Sequence, residues 1–186
     1  MGLLIAGVLV WCLVHLFPSL AVDTRQRLIT KLGENTYKGL FVLLMFFALA
    51  LIIFGWRSTV PSHLYQLPGF TRHLSMLLVL VAFVIFGASN YPSRIKRLIR
   101  HPQLTGVIVW AIAHLVLNGD SRSLVLFGGL GLWAILEIIL INRREGEWVK
   151  QPAPGWVKEL RGFIISLVVF GAVVMLHPYM TGMRII

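Results

Sequence analysis

Six long apolar runs divide this chain, at residues 3–20, 39–56, 73–89, 103–118, 124–142 and 162–177. About 20 residues at 1.5 Å each cross roughly 30 Å of hydrocarbon, so each run approaches the length of a membrane span. Lipid offers the backbone no water, and a helix satisfies its own amides internally. The runs therefore predict an all-α polytopic bundle of six transmembrane helices embedded in a lipid bilayer. Composition agrees: 58% of the 186 residues are hydrophobic and 13% charged, against about half and about a quarter in soluble domains. That excludes a soluble enzyme, a disordered tail and a secreted disulfide scaffold. The one cysteine, Cys12, can form no intrachain disulfide.

Pro18, Pro102 and Pro178 fall at or near span ends, where backbone amides lack helical partners anyway. No long Gly/Ser- or Pro-rich linker interrupts the chain, so residues 1–186 read as a single domain. The longest connections, 57–72 and 143–161, suit the membrane surface, with Trp148 and Trp156 in the headgroup layer. Ser19-Leu20-Ala21 imitates a signal-cleavage site, but no basic segment precedes the apolar run. The first run is read as a retained span.

The net charge of +10 would raise the question of nucleic acid in a soluble protein. Here the basic residues fall between the apolar runs, where they report orientation instead. Odd-numbered connections hold 13 Lys and Arg, and the even-numbered ones with the tail hold 4. That asymmetry predicts odd connections in the cytoplasm and both termini outside. A bacterial inner membrane is the expected location.

Ionisable groups within hydrocarbon need a partner or a purpose. His15, His114 and Glu137 lie inside runs, and His101 lies where the fourth begins. His63, His73 and His177 lie in or beside outer connections and are expected to be solvated. Gly7, Trp11 and His15 are spaced four apart, and Gly106, Trp110 and His114 repeat that spacing. Residues four apart share a helix face, so each helix carries a stripe of glycine, tryptophan and histidine. Ser19 and Asn118 extend the two stripes by one turn. The copies lie on oppositely directed helices, as in an inverted repeat. Two such histidines serve either as polar glue between helices, the commoner role, or as axial ligands of a haem iron. Glu137 has three readings: orienting His15, carrying protons, or sitting protonated near the basic Arg143-Arg144 boundary. The last is expected.

Several runs carry a family resemblance. His15-Leu16-Phe17-Pro18-Ser19 with Arg25, Gly33-Glu34 and Tyr37 resembles the opening of the NnrU family. Arg100-His101-Pro102-Gln103, Gly106, Trp110, Ala113-His114 and Asn118-Gly119-Asp120 resemble its central signature. The resemblance covers essentially the whole chain. It implies a membrane protein associated with bacterial denitrification, where such proteins are thought to assist nitrite and nitric oxide reduction. Plant 15-cis-zeta-carotene isomerases, understood as haem b membrane enzymes, are similar to this family. By that resemblance His15 and His114 are the axial ligands, with Trp11, Trp110 and Gly106 lining the cofactor and His101 as the alternative ligand. The expected partner is an apolar small molecule or a respiratory or denitrification protein. The plant enzymes have a cysteine where this chain has Ala111, which sets aside any thiol ligand there. Cys12 reads as a buried apolar thiol.

The Arg-His-Pro run also resembles isoprenylcysteine and phospholipid methyltransferases. That implies an S-adenosylmethionine site built from His101, Glu145 and Glu147, although Leu104 replaces the usual aromatic and Gly146 splits the acidic pair. A third reading is a cofactor-free assembly factor. The haem reading meets a tension of depth. His15 lies about twelve residues, roughly 18 Å, from the outer end of its span, and His114 only about four, roughly 6 Å.

Overall fold

The computed structural model describes residues 1–182; Arg184, counted in the charge asymmetry, lies outside them. The helices are α1 (Gly2–Leu20), α2 (Val22–Leu32), α3 (Glu34–Ser58), α4 (Thr71–Ala88), α5 (Pro102–Leu117), α6 (Ser121–Glu145) and α7 (Trp156–Thr181). A 3₁₀ turn spans Arg94–Arg97, and α6 contains one π turn at Leu124–Gly128. No strand forms among the described residues; His63 and Asp120 make an isolated antiparallel bridge.

Five of these helices, α1, α3, α4, α6 and α7, are long and apolar enough to cross a membrane. The expected fourth span is the 16-residue α5, about 24 Å long at 1.5 Å per residue, short of the full hydrocarbon thickness. Pro102 opens it, a position where the missing N–H costs nothing. The connection at 21–38 is largely helical. Its residues include α2, a polar segment with Asp23 in the first turn and Lys31 in the last, the placement that complements a helix dipole.

The molecule is turned outward. Leu13, Leu43, Phe46, Phe54, Val168 and Met175 are all well exposed, whereas Ala48, Ala82, Ala88, Ala111, Ala113 and Ala134 are buried. In lipid no hydrophobic force drives helices together, so small residues that allow close packing carry the interfaces. The helices pack in the order α3, α1, α6, α5, α4, α7, each against the next. The tightest pairs are α1–α3 and α4–α5. Glycine explains both. A Cβ on Gly7 would stand 2.7 Å from the Ile52 backbone nitrogen of α3, and one on Gly106 would stand 2.9 Å from the Phe86 Cβ of α4.

On the face that the charge pattern assigns to the outside, the 57–72 connection is zipped to the turn between α5 and α6. Leu64 and Tyr65 amides donate to the Gly119 carbonyl, and the Ser121 amide donates to that of Ser62. Asp120 caps α6 by accepting from the Arg122 and Ser123 amides. Arg122 reaches back to the Trp56 and Thr59 carbonyls, placing its charge at the C-terminal end of α3.

Candidate cofactor site around two histidine stripes

The central helix α6 receives both stripes. It presents Gly129, Trp133 and Glu137, spaced four apart, to α1. A Cβ on Gly129 would meet Val8, the Trp11 and Trp133 ring centres are 6.1 Å apart, and Ser19 Oγ donates to Glu137 Oε1 at 2.6 Å. A different face of α6 meets α5: Phe127 touches Trp110 and His114, and Gly131 faces Ala111. The two histidines thus lie on two separate seams of one helix.

Each histidine is held identically. His15 Nδ1 lies 2.9 Å from the Trp11 carbonyl, and His114 Nδ1 lies 2.8 Å from the Trp110 carbonyl. A carbonyl oxygen only accepts, so Nδ1 carries the proton in both rings. Nε2 is left with its lone pair and makes no hydrogen bond to another described residue. Rings then confine each imidazole. Trp11, Trp133 and Phe41 surround His15 at centroid distances of 4.5, 4.8 and 5.7 Å. Phe127 stacks on His114 at 4.3 Å, with Trp110 at 4.7 Å. Phe127 belongs to the π turn, an irregularity that recurs at functional sites.

The depth offset persists. His15 packs on Trp133 and His114 on Phe127, six residues apart along α6, or about 9 Å. A single iron between them requires each ring to lean from its own helix toward an intermediate level. The glycines of the stripes serve other contacts: the close approach at Gly7 is to α3 and that at Gly106 is to α4.

His101 sits at the opposite end of α5 from His114, at the N-cap position, and its Nε2 lies 2.9 Å from Asn142 Oδ1 instead of capping the helix amides. Arg100 donates to the Gly146 carbonyl and pairs with Glu145 at 3.6 Å. The Arg-His-Pro run and the acidic segment after α6 are therefore neighbours. Among the described residues Glu147 makes no hydrogen bond or ion pair with them. His63 is part of the zipper between the 57–72 connection and the α5–α6 turn, and His177 lies within electrostatic range of His114. Among the described residues no group of three His, Cys, Asp or Glu side chains is placed to hold a bare metal ion.

Glu137 does not orient His15, whose Nδ1 is already engaged; it bonds Ser19 instead. Arg144 joins the same corner, 3.4 Å from Ser19 Oγ. Trp133, Phe127 and Phe41 were not singled out from sequence. The signal for Trp133 was present, since Gly129-Trp133-Glu137 repeats the glycine–tryptophan–polar spacing of the other two stripes.

No curated protein and no solved structure matches the chain. The family model described as NnrU protein matches residues 3–185, nearly the full length and all seven helices. The chain belongs to the NnrU family.

Proposed function

We propose that this protein binds haem b within a bacterial inner membrane, with His15 and His114 as axial ligands. On this reading α5 also crosses, making six spans, and both termini lie outside. Its role is that of a denitrification accessory or of a redox enzyme akin to the zeta-carotene isomerases, acting on an apolar small molecule or serving a respiratory partner. The observation that carries the reading is the matched pair of imidazoles, each with Nδ1–H tied to a backbone carbonyl and Nε2 unengaged. That donor set fits a porphyrin iron, because a ligating imidazole keeps its other N–H on a fixed acceptor. Trp11 and Trp110 supply flat apolar walls beside each ring. A bound haem would supply one-electron chemistry. The chain's own part is to hold the two nitrogens, exclude water with aromatic rings and set their relative depth.

An absorption spectrum of detergent-purified protein, made with ample haem supply, tests this. A Soret band at one haem per chain is expected. Its absence would leave the cofactor-free assembly reading or the second reading, an S-adenosylmethionine site. The latter is favoured by one observation, the contact of Arg100 with Glu145 beside His101. Calorimetric titration with S-adenosylmethionine decides between those two.

A further inference from the structure

At the end of the bundle that the charge pattern assigns to the cytoplasm, the turn after α4 and the 146–155 connection enclose an open cavity of about 450 Å³. That volume falls in the usual range of ligand sites, about 300–1,000 Å³. Polar side chains line it: Ser89, Asn90, Ser93, Lys96 and Gln151.

Lys96 sets the charge of this cavity. Its Nζ donates to the Ser89 carbonyl at 2.8 Å, which holds the ammonium against the wall. An ammonium has three donors, so two N–H bonds remain for an occupant. Lys96 is half-buried, and partial desolvation strengthens its pull on an anion. Gln151 is exposed and its amide engages no other described residue, which adds a second donor group. Glu159, the carboxylate bonded to this wall, is engaged at both oxygens. It accepts from Ser93 Oγ at 2.7 Å and from the Arg94 amide at 2.9 Å. The cavity therefore favours an anion.

The bonds to Glu159 also fasten the first turn of α7 to the wall, and the Arg94 guanidinium lies 4.0 Å from the Trp156 ring centre. Trp156, Val157 and Leu98 are 71, 82 and 81% exposed. Such apolar groups suit the headgroup layer, where tryptophan collects. The cavity beside them lies at headgroup depth. The cytoplasmic surface of a membrane is anionic, and its lipid phosphates are the anions found at that level.

We propose that this cavity binds the phosphate headgroup of an anionic phospholipid, with Lys96 as the charged donor and the Asn90 and Gln151 amides beside it. The site shares no residue with the histidine stripes and stands whether or not haem is bound.

Native mass spectrometry of the full chain in detergent tests this, with phosphatidylglycerol and phosphatidylcholine of identical acyl chains offered in equal amounts. Phosphatidylglycerol should be retained at least tenfold more than phosphatidylcholine. Lys96→Gln should cut that preference about tenfold, the worth of a hydrogen bond from a charged donor. Lys31→Gln, exposed in the last turn of α2 at the same end, should leave it unchanged. Gln151→Glu sets a carboxylate against the phosphate and should also cut the preference. That variant carries the comparison if Lys96→Gln does not elute as a single folded species. Inorganic phosphate in large excess should not displace the lipid. Equal retention of the two lipids, or equal losses from Lys31→Gln and Lys96→Gln, would overturn the proposal. So would an unaltered preference in both Lys96→Gln and Gln151→Glu, or displacement by inorganic phosphate.

Discussion

The seams of α6 with α1 and with α5 begin from the same three residue types and end in different chemistry. On both, a histidine gives its Nδ1–H to the carbonyl of the tryptophan one turn earlier. Beyond that the seams part. The α5 side is apolar, with His114 stacked on Phe127 and Ala111 against Gly131. The α1 side adds a buried carboxyl, a serine and two indoles with unmet donors. A local motif therefore sets the tautomer of an intramembrane histidine, whereas the facing helix decides what else that histidine can work with.

The largest effect expected from breaking this comparison is on haem. His15→Ala and His114→Ala should each abolish retention, read as loss of the Soret band, because an iron held from one side is weakly bound. His101→Ala should keep it, since Asn142 already occupies its Nε2, and so should His63→Ala and His177→Ala. Loss with His101→Ala and retention with His114→Ala would transfer the assignment.

Next in size are the glycines that close the outer pairs. Gly7→Val and Gly106→Val should each lower stability by about 1–3 kcal/mol, the usual cost of overpacking, as followed by thermal unfolding in detergent. Gly7 should be the worse of the two, because the three atoms nearest its added Cβ stand at 2.7–2.9 Å, against 2.9–3.1 Å at Gly106. A neutral Gly7→Val would mean that α1 and α3 do not approach as closely as described.

Smaller still is the contrast at the ends of the stripes. Ser19→Ala removes the partner of a buried carboxyl oxygen and should cost about 1–3 kcal/mol. Asn118→Ala loses only a bond to the His114 carbonyl within its own turn and should cost about 0.5–1.5 kcal/mol. Equal losses in unfolding experiments would erase the claimed asymmetry between the seams.

Much of this architecture was legible in the residues. Run length placed the apolar helices to within six residues at each end, because hydrocarbon thickness imposes length directly. The i, i+4 spacing singled out His15 and His114, since helix geometry alone puts such residues on one face. What the glycines do was not legible: Gly7 and Gly106 share the stripes but serve α3 and α4, a choice made by helix rotation that no local spacing encodes. Trp133 and Phe127 were passed over because an aromatic in an apolar run is ordinary until its neighbour is known. The helicity of 22–32 was hidden by its polarity, since apolar run length marks only helices that face hydrocarbon.

The central claim is that His15 and His114 share one iron. Electron paramagnetic resonance of the oxidised, purified protein at one haem per chain tests it most directly. The account predicts a low-spin signal in the wild type, characteristic of two nitrogen ligands, replaced in both His15→Ala and His114→Ala by high-spin signal or by loss of haem. A high-spin wild-type signal, or a low-spin one that survives either replacement, would contradict it.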